Sequence, residues 1–130
     1  MAADPDAIIA RARACLGVPF RLQGRDRWGL DCVGLIATAC GLRESAPRAY
    51  RLRGTTEGAA QTLLAAHFRA RSGMRPEAGD VLLLRSGPAQ LHLGLWAGAG
   101  MVHAHAGLRR VVETPGLPDG IIGIWYLGEH

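Results

Sequence analysis

The first third of the chain contains the sequence DCVGLIATAC, from Asp31 to Cys40, which is apolar on nearly every side after its first residue. A helix that is apolar all round is normally buried in a protein core. Asp31 precedes the run as a helix cap would, which places Cys32 in the first turn. Free backbone amides and the positive end of the helix dipole favour a thiolate there. We therefore interpret Cys32 as a nucleophile rather than as a small buried hydrophobic residue.

The segments on either side of this run also predict helices. Before it, Asp4 caps a helix that has Pro5 in its first turn and is stopped by Gly17. After it, a third helix is predicted with Thr56 as its cap and Phe68 on its apolar stripe.

Beyond Pro76 the pattern changes to short apolar runs separated by Gly and Pro, which is typical of an antiparallel sheet. The predicted strands are Val81–Leu84, Leu91–Trp96, Met101–His105, Val111–Val112 and Ile121–Leu127. Helices first and strands later indicate an α+β fold. We expect N-terminal helices, including the buried nucleophile helix, to pack on a C-terminal sheet of about five strands.

Length and composition limit the classes of protein to consider. The chain has 130 residues, a net charge of +4 and 48% hydrophobic residues, which predicts a single folded domain over residues 1–130. Its three cysteines cannot all pair with one another, and no pair has zinc-ribbon spacing. Residues 86–108 carry no charged side chain, but Gly, Pro and His interrupt them too often for a membrane span.

Three of the five histidines belong to one predicted hairpin. If residues 97–100 form a tight turn, the residues facing each other across the strands are Trp96 and Met101, Gly94 and His103, and His92 and His105. The missing side chain at Gly94 is expected to leave space beside His103, with His92 diagonally across from it. One face of the sheet is therefore predicted to gather three imidazoles.

Two kinds of chemistry fit these residues. In the first, His92 takes the proton of the Cys32 thiol while His103 holds the imidazole of His92 in its useful tautomer. In the second, His92, His103 and His105 are the three nitrogen ligands of a catalytic zinc ion. The spacing of the residues alone does not separate the two.

Several blocks of the sequence resemble the NlpC-type peptidases, which are papain-like cysteine endopeptidases that cut the stem peptides of peptidoglycan. The blocks are Gly17-Val18-Pro19-Phe20-Arg21, Gly24, Gly29-Leu30-Asp31-Cys32-Val33-Gly34-Leu35, Gly79-Asp80-Val81-Leu82, His92-Leu93-Gly94-Leu95 and Val102-His103-Ala104. The resemblance implies a papain-like fold and a peptidoglycan hydrolase that needs no cofactor. It favours the thiol chemistry over the metal site.

The resemblance also implies a role for each matching residue. Cys32 would be the nucleophile, His92 the general base and His103 the polar third member. Substrate contacts are expected from Asp31, Phe20, Trp28, Val33 and His105. Many members of the family have Tyr in place of Phe20 and Ser in place of Val33, so two hydroxyls that could contact a substrate are missing.

The expected partners follow from the same resemblance. An Asp-Cys-Val-Gly-Leu block in a short chain whose residues 1–17 show no signal peptide is similar to the branch found in phage tails and gene transfer particles. The protein would then be made in the cytoplasm and act on peptidoglycan at the cell wall, alongside phage-like tail proteins. A catalytically weak structural or adaptor protein of a tail is the alternative. The arginine-rich segment Arg43–Gly54 is interpreted as an irregular surface segment, and no nucleic-acid partner is expected.

Overall fold

The computed structural model describes residues 4–44, 56–87 and 90–128. Its helices are α1 (Pro5–Arg13), α2 (Cys32–Cys40) and α3 (Thr56–His67). Its strands are β1 (Arg25–Asp26), β2 (Gly29–Leu30), β3 (Phe68–Ala70), β4 (Val81–Gly87), β5 (Gln90–Trp96), β6 (Gly100–His105), β7 (Arg110–Pro115) and β8 (Ile121–Leu127). Most of the segment predicted to be irregular, from Ser45 to Gly54, lies outside the described residues.

The main sheet of the described chain has six antiparallel strands in the order β3-β8-β4-β5-β6-β7, and β1 and β2 form a separate two-stranded ribbon. The predicted α+β class is therefore confirmed. The expectation of about five strands missed β3, because Phe68 does not continue the third helix. Phe68 instead begins a short strand and pairs with Leu127 of β8.

Local sequence explains how α1 and α2 begin and end. The Asp4 carboxylate accepts a hydrogen bond from the Asp6 N–H at 3.0 Å, which confirms the predicted cap of α1. The helix ends at Arg13, and Gly17 then adopts a φ of +85°. Helix α2 ends at Gly41, whose φ of +74° is typical of a glycine at a helix C-terminus.

The core lies between the helices and one face of the sheet. Leu91, Leu93 and Leu95 of β5 point toward the helices and share a buried cluster with Leu35 and Ile36 of α2. A second cluster, made of Leu82, Leu84, Trp96, Met101 and Ile124, lies on the other face. Helix α2 is thus buried as its sequence predicts, and it packs on β5 and β6. None of the helices in the described chain has the length and apolar character needed to cross a bilayer.

Candidate active site

Cys32 is the first residue of α2, at the position that the sequence predicts. Asp31 has an extended backbone, and its Oδ1 accepts a hydrogen bond from the Gly34 N–H at 2.8 Å. This is the bond of a helix N-cap, and it satisfies one of the amides that the first turn leaves without a carbonyl partner. The cap therefore sets the point in the chain at which the Cys32 side chain enters the site.

The Asp31 carboxylate also anchors the loop that precedes α2. Its Oδ1 lies 3.2 Å from Nη1 of Arg25, and its Oδ2 accepts a hydrogen bond from the Gln23 N–H at 2.7 Å. Both side chains of the Arg25–Asp31 ion pair are buried. Asp31 thus has a structural role, because it holds this loop against the start of α2.

The pairing between β5 and β6 ends early, and this opens the sheet beside Cys32. The recorded pairs of these two strands are Leu95 with Val102 and Trp96 with Met101, the second of which was predicted. Beyond these pairs, the Leu93 backbone amide is close enough to the Cys32 thiol to lower its pKa.

His92 and His103 are joined directly on this part of the sheet. Nε2 of His92 lies 3.0 Å from Nδ1 of His103, and the ring planes are inclined by 73°. Nε2 of His103 lies 2.9 Å from Oγ1 of Thr114 on β7. A chain of hydrogen bonds therefore crosses three neighbouring strands. It leaves Nδ1 as the ring nitrogen of His92 that is available to a thiol or a substrate.

His105 completes the predicted cluster of imidazoles but has a different contact. Its ring centre is 5.4 Å from that of His103, and its Nδ1 accepts a hydrogen bond from the Leu108 N–H at 3.0 Å. That bond closes the turn after β6. His105 consequently shapes the turn that forms one wall of the site.

These side chains meet in one cleft of about 260 Å³. Its lining residues come from the loop before α2, from α2 itself, from β5, and from β6 with the turn after it. They are Phe20, Leu22, Asp31, Cys32, Gln90, Leu91, His92, His103, Ala104, His105, Ala106 and Gly107. The structure therefore brings the predicted nucleophile, base and third member to the same cleft.

The cleft keeps its reactive groups uncharged. Burial, followed by the charge of Asp31, raises the pKa of the Cys32 thiol to about 12, although backbone hydrogen bonds from Leu93, Val33 and Cys32 lower it. Burial also lowers the pKa of His92 to about 4, and the neighbouring His103 and His105 lower it further. The prediction that the helix terminus would hold a thiolate is wrong, because burial outweighs the dipole of a short helix. At neutral pH the site contains a thiol and a neutral imidazole.

The predicted substrate-contacting residues do not all reach the cleft. Phe20, Asp31 and His105 line it. Trp28 is 68% exposed, lies beside the guanidinium of Arg27 and is absent from the cleft lining. Val33 is fully buried in the core, so the prediction that its side chain contacts a substrate is wrong. The side chain at the second position of α2 thus points into the protein.

Two details of the hairpin also differ from the prediction. A Cβ atom at Gly94 would collide with the side chain of Met101, so Met101 and not His103 fills the space at that glycine. Thr114 was not identified from the sequence, because the predicted strand there covered only Val111–Val112 whereas β7 extends to Pro115. Residues 92, 103 and 114 are spaced by eleven positions in successive strands. The signal that could have indicated Thr114 is strand alternation, which puts it on the same face as Val112, the partner of His103.

The geometry does not fit the alternative zinc site. The facing nitrogens of His92 and His103 share one hydrogen bond, so both cannot direct lone pairs at the same ion. Nδ1 of His105 is occupied by the Leu108 N–H. Within the described residues, no group of three or more His, Cys, Asp or Glu side chains has an arrangement suited to a metal ion.

Known structures with the same fold support the architecture. NlpC1 from Trichomonas vaginalis superposes with a TM-score of 0.69 at 19% identity, over 96% of this chain and 45% of that one. The peptidoglycan hydrolase RipB from Mycobacterium tuberculosis gives 0.62 at 22% identity, over 96% of this chain and 65% of that one. RipD from the same organism superposes with a TM-score of 0.61 at 20% identity, over 97% of this chain and 98% of that one. It is described as a non-catalytic NlpC/p60 domain protein adapted to peptidoglycan binding.

These similarities differ in what they establish. The first structures matched are longer than this chain, which spans between 45% and 65% of their length. No protein of curated function matches the sequence. The sequence model of the NlpC/P60 family, in contrast, matches residues 17–117, which include Cys32, His92, His103 and Thr114. With more than three quarters of its residues matched and the fold in agreement, the chain belongs to the NlpC/P60 family.

Proposed function

We propose that this protein is a cysteine peptidase that hydrolyses peptide bonds in the stem peptides of peptidoglycan, and that residues 1–130 form one catalytic domain. The observation that carries the proposal is the common cleft of Cys32 and His92, in which His103 is bonded to the far nitrogen of His92. A nucleophile, a base and a group that orients the base are the parts that covalent acyl transfer requires.

The raised pKa of Cys32 and the lowered pKa of His92 support activation of the nucleophile during the attack itself. Because both groups are neutral at rest, the thiol proton moves to Nδ1 of His92 as the sulfur attacks the substrate carbonyl. The imidazolium that forms then donates this proton to the leaving amine. Water hydrolyses the resulting thioester with His92 acting again as the base.

Two neighbouring features would assist this reaction. The amide of Cys32 lies in the first turn of α2, where backbone N–H groups lack carbonyl partners within the helix and can stabilise a developing oxyanion. The cleft wall contains Phe20, Leu22 and Leu91, which offer apolar contacts to the alanine methyl groups and aliphatic stems of a peptide. Phe20, Asp31 and His105, which line the cleft, are the predicted substrate contacts that this proposal retains.

The test uses two cysteine variants of the same helix. Wild-type protein, Cys32→Ala and Cys40→Ala are incubated with purified peptidoglycan, and the released peptides are identified by mass spectrometry. Cys40 is the matched control because it is buried like Cys32 but lies at the opposite end of α2. We expect release by the wild type and Cys40→Ala and none by Cys32→Ala. Release by folded Cys32→Ala would refute the proposal, and the fragment masses show whether an endopeptidase or an amidase bond is cut.

A second candidate function is peptidoglycan binding without hydrolysis. It is favoured by the low reactivity expected of a thiol that is only 5% exposed and has a pKa of about 12. RipD, with the same fold, is described as non-catalytic and adapted to peptidoglycan binding. This function predicts that the wild type and Cys32→Ala sediment equally with peptidoglycan and that neither releases peptides.

We also propose that the protein acts at the cell wall together with phage-like tail proteins. This part of the proposal rests on the Asp31–Leu35 block, which resembles the phage and gene-transfer-particle branch. Purified particles from the producing strain should contain the protein by mass spectrometry. Its presence only in the particle-free fraction would contradict the association.

A further inference from the structure

Thr114 lies at the outer end of the hydrogen-bond chain from the candidate base. In the register of β6 and β7, Met101 pairs with Thr114 and His103 pairs with Val112. Thr114 is therefore a diagonal neighbour of His103 on the same face of the sheet, within side-chain reach. Its Oγ1 is 2.9 Å from Nε2 of His103, and Nδ1 of His103 is 3.0 Å from Nε2 of His92.

The hydrogen bonds that join His92, His103 and Thr114 can point in either of two directions. A neutral imidazole has one N–H and one acceptor nitrogen, so fixing one bond fixes the next. In the first direction His92 Nε2–H donates to His103, and His103 Nε2–H donates to the Thr114 hydroxyl. In the second direction the Thr114 hydroxyl donates to His103, and His103 Nδ1–H donates to His92.

The two directions have opposite consequences at Cys32. The first leaves Nδ1 of His92 without a proton, so that it can accept the proton of the thiol. The second puts the remaining proton of His92 on Nδ1, and the imidazole then cannot act as a base there. The direction of the hydrogen bond between His103 and Thr114 thus determines whether His92 can accept the proton of the Cys32 thiol.

We propose that Thr114 is a positioning residue whose hydroxyl accepts the His103 Nε2–H bond and thereby holds His92 in the Nε2–H tautomer. The inference rests on the proposed function for its catalytic consequence, but the tautomer itself is independent of activity. Formation of the His92 imidazolium favours the same direction, because a charged Nε2–H donates a stronger hydrogen bond to His103. The Thr114 hydroxyl therefore stabilises this arrangement most strongly once the thiol proton has been transferred to His92.

Three variants separate this role from a general effect on structure. Thr114→Val keeps the shape of the side chain and removes the hydroxyl. Thr114→Ser restores a hydroxyl. Thr62→Val is the matched control, because Thr62 is an exposed residue of α3 away from the cleft. Each is measured for kcat and KM on a soluble stem peptide and for imidazole ¹⁵N chemical shifts, which report the protonated nitrogen of each ring.

In the wild type both His92 and His103 should carry their proton on Nε2. Thr114→Val should shift both rings toward a mixture of tautomers and lower kcat about tenfold, the rate equivalent of one hydrogen bond, with KM little changed. Thr114→Ser and Thr62→Val should match the wild type in both measurements. Because Thr114 is exposed, water can partly replace its hydroxyl, which keeps the expected loss moderate.

Two results would overturn the inference. One is a wild-type His103 protonated on Nδ1, and the other is a Thr114→Val variant whose ring tautomers are unchanged, whatever its kcat. If the wild type cleaves no peptide, the proposed function fails, but the ¹⁵N shifts still decide the role of Thr114. Protonation of both rings on Nε2 in the wild type, replaced by a mixture of tautomers in Thr114→Val, would then support the positioning role in a non-catalytic site.

Discussion

Nε2 of His92 lies 3.0 Å from Nδ1 of His103, across the opening between β5 and β6. His103 is buried and His92 is partly buried, so a ring nitrogen of His103 left without its partner cannot readily turn to water. The pair also leaves Nδ1 of His92 for the thiol. This hydrogen bond gives His103 a role in orienting His92. The role can be tested with substitutions at position 103 that remove or keep a hydrogen-bond acceptor.

His103→Leu should lower kcat by about 100-fold or more, since His92 loses the acceptor that selects its tautomer. His103→Asn should retain much more activity, because an amide oxygen can accept the same N–H. The measurement is kcat on a soluble stem peptide, with folding checked by circular dichroism. Equal losses in the two variants would argue that His103 contributes packing rather than a hydrogen bond.

The pH profile should extend far into the acid range. Burial lowers the pKa of His92 to about 4, so its imidazole stays neutral and able to accept a proton until the pH falls to that region. The profile of kcat/KM should therefore lose activity near pH 4, and not near the ordinary histidine value of about 6.5. Because burial holds the Cys32 thiol neutral up to a pKa of about 12, no increase is expected between pH 7 and 9. A loss of kcat/KM near pH 6.5 would contradict this prediction, because it would show that water solvates the His92 imidazole more than the structure indicates.

Loss of the buried guanidinium of Arg25, which pairs with Asp31, should destabilise the protein. Arg25→Met leaves the Asp31 carboxylate buried without its ion-pair partner, at a cost of about 3 kcal/mol in the free energy of unfolding. Combining it with Asp31→Asn should recover part of this loss, because Asn also caps a helix and carries no charge. Urea denaturation measures both effects.

The exposed Arg13–Glu113 pair provides the control for that experiment. Its atoms lie 3.0 Å apart, but both side chains are partly open to solvent. Arg13→Met should hardly change the urea midpoint, since screening leaves such pairs little net effect. A midpoint for Arg25→Met equal to that of Arg13→Met would contradict the structural role assigned to the buried pair.

A methyl group at Gly34 should disturb the site although Gly34 is not in the cleft. A Cβ atom there would collide with the backbone oxygen of Gly24, which belongs to the loop that Asp31 anchors. Gly34→Ala should therefore lower both thermal stability and kcat. Gly58→Ala is the matched control, because a Cβ at that exposed position of α3 meets no atom and alanine favours helix by up to about 1 kcal/mol. A Gly34→Ala variant as stable and active as Gly58→Ala would show that the loop can move away freely.

Local rules in the sequence were sufficient for much of the fold and for assigning Cys32, His92 and His103 to their elements, whereas the resemblance to a family was needed to choose the thiol chemistry over a metal site. The Asp4 and Asp31 caps, the buried α2 helix and the Trp96–Met101 pairing each follow from interactions between residues close in the chain. Such interactions depend on side-chain type and spacing, which a single sequence displays. The same rules placed Cys32 at the start of a helix and His92 and His103 on adjacent strands.

Other properties depend on residues that are distant in the chain. Val33 is buried because of how α2 lies on the sheet, and Met101 rather than His103 fills the space at Gly94. Thr114 joins the site only because β7 extends beyond its apolar residues. The charge state of the thiol also depends on tertiary structure. A helix terminus favours a thiolate locally, but the surrounding core removes the water that would stabilise its charge. The sequence by itself therefore determined the elements that carry Cys32, His92 and His103, and only tertiary packing decided which other side chains reach the site, how deeply all of them are buried and in which protonation state they rest.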